Sequence, residues 1–252
     1  MASAGYVLFG FNSTATNLAF NSIAEEFSSA SESTVYLVAS GFFIASAAFL
    51  PVGGRLADRV GRRRVFNLGL IGFIVSAVAS AAAPTVEILI AARVAQAISG
   101  AFVIPSSLAV VLPEFPAARR SSAVATWAAA GPLSAAVAPS TAALLLDATS
   151  WRWVYLLTAP AAALTLVGSF LAVRESKGDV DAKDRLDILG SGLAVASVAL
   201  LVLGIGQGAD WGWTDARTIA SVAVALAIGT AFVVRSSNHP APLVNLSLFR
   251  IP

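Results

Sequence analysis

Cysteine is absent from the 252 residues, which removes disulfides, thiolate nucleophiles and cysteine metal sites together. Histidine occurs once, as His239, too little for a metal site or a catalytic triad. Charge is scarce too: 12% of residues are Asp, Glu, Lys or Arg, against about 25% in an ordinary soluble domain. So little polar surface cannot cover a water-soluble fold in which 57% of residues are hydrophobic.

The apolar residues lie in blocks of bilayer length, about 20 residues for a crossing helix. Charge-free blocks run from Met1 to Ala24, Ser33 to Gly54, Val65 to Val86, Ser121 to Leu146, Trp153 to Val173, Ile188 to Ala209 and Thr218 to Val234. Another, Ile88 to Pro113, is broken only by Arg93. These predict eight membrane spans. They read as helices because the apolar runs are continuous, whereas a barrel strand alternates apolar and polar residues over about 10 positions. A helix also pairs its backbone groups within the segment, as hydrocarbon requires. The first block lacks a basic leader and runs too long for a cleaved signal peptide, so a retained helix is expected.

Alternating the loops between two sides gathers the basic residues on one of them. Arg55, Arg59, Arg62, Arg63, Arg64, Arg119, Arg120, Arg174, Lys177, Lys183, Arg185, Arg235 and Arg250 fall together, while Arg152 and Arg217 fall opposite. Both termini are then cytoplasmic in the cell (inner) membrane, and Glu25, Glu26 and Glu32 face outward. The net charge of +2 reflects this bias, so the expected partner is a lipid bilayer and not nucleic acid.

The organisation expected is a six-helix bundle over 1–173, a mixed-charge, solvated cytoplasmic linker over 174–187, and two further spans over 188–234. The outer turn between those two carries Trp211 and Trp213, residues suited to the membrane interface. A cytoplasmic segment over 235–252 becomes polar at Asn238 to Pro242, then apolar again at Leu243, Leu246 and Leu248. The stop at Pro252 reads as premature.

Two strings carry the strongest signals. The first is Gly53-Gly54-Arg55-Leu56-Ala57-Asp58-Arg59-Val60-Gly61-Arg62-Arg63-Arg64, placed in the loop between the second and third spans. Asp58 stands at the end of a helix, where the macrodipole disfavours an acid, so it needs a compensating partner. Arg55 and Arg62, three before and four after it, are in reach if the helix continues. The second places Arg93, Gln96 and Gly100 on one helical face of span four. A guanidinium near mid-bilayer costs at least about 2.5 kcal/mol, so it should face a polar cavity and mark a substrate or proton route. Two turns from the outer end, it is also near enough to snorkel to the headgroups. Ser13, Asn17 and Asn21 add a polar stripe on the first helix, with Asn12 and Thr16 beside it. Such a stripe either lines a cavity or holds helices together by hydrogen bonds.

The first string resembles the signature loop of the major facilitator superfamily, Gly-x-Leu-Ala-Asp-Arg-x-Gly-Arg-Arg. The second resembles that family's Arg-x-x-Gln-Gly pattern with the glycine displaced. The resemblance implies an all-α polytopic membrane fold with a six-helix amino-terminal bundle. It makes Gly54, Arg55, Asp58, Arg59, Gly61, Arg62 and Arg63 a conformational switch, and Asn12, Thr16, Asn17, Arg93 and Gln96 candidates for lining the substrate cavity. The stretch Asn12 to Asn21, Gly131-Pro132 through Pro139, Trp151-Arg152-Trp153, and the later helix pair resemble the fourteen-helix drug/proton antiporters. Gly100, Gly131, Pro132 and Pro139 are the implied helix-packing residues, and Trp151 and Trp153 read as interface anchors. Asn12 stands where that pattern has an acid, and an amide cannot titrate, which argues against proton coupling through this half.

The function expected is alternating-access transport of a small organic solute, as in a multidrug-type exporter, with the carboxy-terminal bundle outside this chain. A half-transporter working with that bundle or with a second chain is the alternative. With Arg93 and amides but no acid, the cavity favours a neutral or anionic solute. No cofactor or metal is expected. No intramembrane acid pair, cysteine or phosphate-binding glycine loop points to an enzyme.

Overall fold

The computed structural model describes residues 2–178 and 187–239, and among them the regular structure is helical, with no strand. The helices are α1 (Ala2–Leu18), α2 (Phe20–Glu26), α3 (Glu32–Val60), α4 (Arg62–Ala81), α5 (Val86–Val111), α6 (Arg120–Ala148), α7 (Arg152–Leu156), α8 (Thr158–Ala172), α9 (Ile188–Gly206), α10 (Gly208–Trp211) and α11 (Ala216–Asn238).

Seven helical stretches among the described residues are long and apolar enough to cross a bilayer. The opening span is divided instead: α1 and α2 meet at Ala19, and 17 residues precede the break. Hydrogen bonds from Ala19 N–H to the Ala15 carbonyl and from Ile23 N–H to the Ala19 carbonyl carry the helical path across it. Together α1 and α2 cover the first expected span. The helix starts are written locally. Ser31, Thr85, Asp187 and Asp215 each accept a backbone N–H from the first turn of the helix that follows, a capping bond for a donor with no partner in the turn before.

Side chains distribute as lipid demands. The buried set is rich in small residues such as Ala15, Ala97, Ala101, Ala138 and Ala142, with Ser80, Ser106 and Ser107 among them. Large apolar side chains point outward, Leu144 at 71%, Leu171 at 83% and Ile188 at 79% exposure. In hydrocarbon, burying a leucine brings no solvent advantage, so helices associate through close approach of small residues. Gly53 shows how close: a Cβ there would stand 2.3 Å from the Ala101 carbonyl oxygen, which locks α3 against α5.

The signature string is only in part a loop. Gly53 to Val60 continue α3, and Arg62 already opens α4. Gly61 alone separates them, at φ 132°, a backbone angle that side-chain-bearing residues rarely adopt. Trp151 is also placed differently from expectation. It is 2% exposed and donates its indole N–H to Glu26 at 2.7 Å, so it is a core contact and no interface anchor. Trp153, half exposed, faces outward.

Helices α9 and α11 pair with each other, and α9 leans on α3. Asp187 staples the pair at the basic end, accepting Gly190 N–H at 2.8 Å and Arg235 Nε at 2.9 Å. The last expected segment, 240–252, lies outside the described residues, as do 179–186 of the expected linker.

Burial works against the Asp187 charge, but the Arg235 hydrogen bond, the Gly190 N–H and the nearby His239 outweigh it and hold the carboxyl below its usual range. A depressed folded-state pKa gives stabilisation that is full above the ordinary aspartate value and lost as pH falls through the depressed one. Asp187→Ala should therefore lower the unfolding midpoint in detergent, by about 1–2 kcal/mol for the cap alone. It should also flatten the acid limb of the stability profile; an unchanged limb would remove the staple's role.

Candidate functional site

Arg93, on α5, is 1% exposed: the side chain does not snorkel to the headgroups, and it is enclosed by protein where an open polar cavity was expected. Its Nη1 donates to Asn12 Oδ1 on α1 and, at 2.6 Å, to Gln96 Oε1 one turn further along α5. Its Nε reaches the Val38 carbonyl on α3 at 3.4 Å. The Phe42 ring lies 4.1 Å from the guanidinium carbon and the Tyr155 ring of α7 lies 5.1 Å away, both within cation–π range. Four segments of the chain thus converge on one cation. No carboxylate among the described residues touches it.

Both amides turn their oxygens to the guanidinium, and their nitrogens pay for that choice. Asn12 Nδ2 and Gln96 Nε2 are enclosed without an acceptor. Thr16, also buried, donates back to the Asn12 carbonyl at 2.8 Å. The polar stripe of the first helix is therefore two faces: Asn12 and Thr16 belong to the Arg93 cluster, whereas Asn17 and Asn21 are exposed. Gly100 and Gly131 make room for α1, since a Cβ on either would stand 2.7 or 2.6 Å from the ring of Phe9 or Tyr6. Pro132 and Pro139 are inside α6 on its exposed side.

At the other end of the bundle the signature segment is held shut within the chain. Arg62 donates from Nε and Nη2 to Asp58 Oδ1 at 3.0 and 2.9 Å, and from Nη1 to the Ala109 carbonyl at 3.2 Å. Asp58, which the sequence placed in need of a partner, thus has one. Residues just beyond α8 then fold back over the segment. Glu175 accepts the backbone N–H groups of Arg63 and Arg64 at 3.1 and 3.2 Å, the anion position that the helix dipole favours at the start of α4. Arg62 N–H donates to the Ser176 carbonyl and Gly178 N–H to the Asp58 carbonyl, each at 2.8 Å. The beginning of the expected solvated linker is therefore a strap across the signature segment. Gly54 and Arg55 lie on α3 about one turn before Asp58, Arg59 beside it, and Gly61 beneath Glu175, where an added Cβ would stand 2.7 Å from the carboxylate.

A second clasp closes the opposite end. Glu26 Oε2 accepts Arg152 Nη1 at 2.6 Å as well as the Trp151 indole, and Arg152 Nη2 donates to the Ala83 carbonyl at 3.3 Å. The Arg152 hydrogen bond, with help from Trp151, keeps the Glu26 carboxyl below its usual range. Phe42, Tyr155 and Glu175 were not singled out from sequence. Aromatic residues in apolar blocks and one glutamate in a mixed-charge stretch carry no pattern of their own.

Comparison with known proteins follows the same line. The Major Facilitator Superfamily profile matches residues 2–233. Among curated proteins, the chain is 28% identical over 246 residues to the tetracenomycin C resistance and export protein of Streptomyces glaucescens, covering 98% of this chain and 45% of that protein. It is 33% identical to the probable actinorhodin transporter of Streptomyces coelicolor, over 86% of this chain and 39% of that one. The multidrug resistance protein Stp of Mycobacterium tuberculosis is 32% identical over 98% of this chain and 45% of its own length. The chain spans about half the length of the curated relatives it matches. Among solved structures, a peptide transporter POT in complex with sulfate aligns with a TM-score of 0.66 at 18% identity, covering 95% of this chain and 51% of the other. The proton:xylose symporter XylE aligns at 0.61 and 16% identity, over 99% and 55%. At such identities the likeness is one of fold.

Three outcomes test the geometry. Gln96→Leu takes an acceptor from an enclosed guanidinium and should cost about 1–3 kcal/mol, read as a lower unfolding midpoint in detergent. Arg93→Lys should not preserve stability, because an ammonium cannot reach three acceptors in a planar fork. At the strap, Glu175→Ala should speed hydrogen exchange at the Arg63 and Arg64 amides with the interior of α4 unchanged. Equal exchange in both proteins would show that the strap does not hold.

Proposed function

The chain belongs to the Major Facilitator Superfamily, and on that premise we propose that it forms the amino-terminal bundle and following helix pair of a multidrug-type exporter of small organic solutes. The observation that carries the reading is Arg93, a full charge held inside the span bundle by side chains of α1 and α5, a carbonyl of α3 and a ring of α7. A charged group in that position costs insertion energy and is retained where it serves a solute or ion route. Relatives named for the export of, or resistance to, tetracenomycin C, methylenomycin A and multiple drugs support efflux over uptake.

Asn12, Thr16 and Gln96 set the electrostatics of that route around Arg93, and the exposed Asn17 lines it directly. The cluster is cationic, which suits neutral or anionic solutes in a route beside it. The Asp58–Arg62 clasp and its Glu175 strap form the switch that opens and shuts one end as the bundle rocks. The gathered arginines support a cytoplasmic position for that end, with both termini on the same side of the cell (inner) membrane.

Alternating access needs two bundles about a midplane site. A chain half the length of its relatives therefore works with a carboxy-terminal bundle, whether joined to it or supplied by a second polypeptide. Pairing of Asp58 with Arg62 removes an unsatisfied acid as a reason for a separate partner.

The test is efflux of an anionic fluorescent dye of the carboxyfluorescein type from energised cells expressing the reading frame that contains this chain. Export should be lost with Arg93→Leu and reduced several-fold with Asp58→Asn, at equal membrane abundance. Full export by the Arg93→Leu variant would overturn the assignment of Arg93 to the route.

A further inference from the structure

A separate cavity of about 290 Å³ opens at the basic end of the bundle, between the start of α1, the end of α5 and the start of α6. Its size is close to the lower bound of small-molecule clefts, about 300 Å³. Ser3, Phe115, Arg119, Ser122, Thr126 and Trp127 line it, and no carboxylate does.

Its walls are built and not incidental. Trp127 is fixed on two sides: its indole N–H donates to Ser107 Oγ at 2.9 Å, and its ring stacks on Tyr6 at 4.7 Å with planes 16° apart. Arg120 Nε reaches the Phe115 carbonyl, at 3.4 Å, and ties down the loop that carries the second aromatic lining residue. Arg119 differs from its neighbours. Its side chain makes no hydrogen bond or ion pair among the described residues, whereas Arg62, Arg63, Arg64 and Arg120 each hold a partner. A free guanidinium beside a pinned indole offers planar, charge-assisted recognition of an oxyanion together with a stacking face. The hydroxyls of Ser3 and Ser122 add neutral donors to the same rim.

We propose that this cavity binds compact aromatic anions, carboxylates or phenolates, on the side from which an exported solute arrives. The inference rests on the export reading for that side's being cytoplasmic, and it adds a capture site apart from the Arg93 cluster. The anion's oxygens meet Arg119 and the serine hydroxyls, and its ring lies against Trp127 and Phe115.

Tryptophan fluorescence tests it, because Trp151, Trp153, Trp211 and Trp213 all lie toward the opposite end of the spans and only Trp127 borders the cavity. With the purified protein in detergent, para-nitrobenzoate should quench emission saturably, and Trp127→Phe should abolish the saturable part. Arg119→Gln should weaken para-nitrobenzoate about tenfold, the loss of one charge-assisted hydrogen bond. The neutral para-nitrobenzyl alcohol should bind more weakly to the native protein and be indifferent to that substitution. Arg119 is exposed, so the variant is not expected to disturb folding, and circular dichroism checks this. Non-saturating quenching, equal affinity for the anion and the alcohol, or an Arg119→Gln protein that binds the anion as before would each overturn the proposal. Binding is read without flux. Intact binding in a protein that exports nothing counts against the export reading alone, and export without this binding counts against the site alone.

Discussion

A guanidinium inside a bundle of apolar helices must find every partner within the chain, and the placement of Arg93 constrains much of the rest. Insertion of the charge costs at least about 2.5 kcal/mol. Against that stand hydrogen bonds to a charged group, about 1.5–3 kcal/mol each when enclosed, and two aromatic faces. Three acceptors and two rings therefore outweigh the cost, but only while α1, α3, α5 and α7 stay in register. Loss of one element strands the charge. The cluster is accordingly a device for specifying helix positions as much as a feature of a solute route.

Much of the fold was legible because hydrocarbon simplifies the reading of a sequence. Span length, continuity and the side on which arginines gather follow from solvent alone, and the helices fall close to the charge-free blocks. Boundaries moved where local chemistry outweighed hydropathy. α3 runs on through Asp58 and Arg59 to Val60, since the Asp58–Arg62 pair makes charged residues acceptable in a helix that has left the apolar layer. The division at Ala19 has no counterpart in composition.

The site was legible by half. Arg93, Gln96 and Asn12 announce themselves as polar residues in apolar blocks. Phe42 and Tyr155 do not, because an aromatic residue in such a block reads as lipid-facing until tertiary structure places it. Glu175 illustrates the opposite error: a charge in a polar stretch reads as solvated. It is engaged because the first backbone N–H groups of α4 have no acceptor in the preceding turn, and a carboxylate within reach supplies one. Helix ends create such demands, and sequence alone does not say which distant residue answers them.

The identity of residue 12 bears on energetics. An aspartate there would form an ion pair with Arg93 and could exchange that partner for a proton, giving two states of different charge. Asn12 presents a carbonyl oxygen whose pairing with Arg93 involves no proton, and its Nδ2 is left without an acceptor. The cluster thus keeps one charge state throughout any rocking of the bundle. On the export reading, what distinguishes the inward from the outward arrangement cannot be protonation here. Among the described residues, charged pairs able to exchange partners lie at the two ends, where Glu26 holds Arg152 and Trp151, and where Asp58 and Glu175 hold the start of α4. These carboxylates lie at the water-facing ends of the helices, outside the apolar layer. Breaking one clasp exposes its charges to solvent, which is far cheaper than uncovering Arg93. On the export reading, the ends alternate while the centre keeps its register.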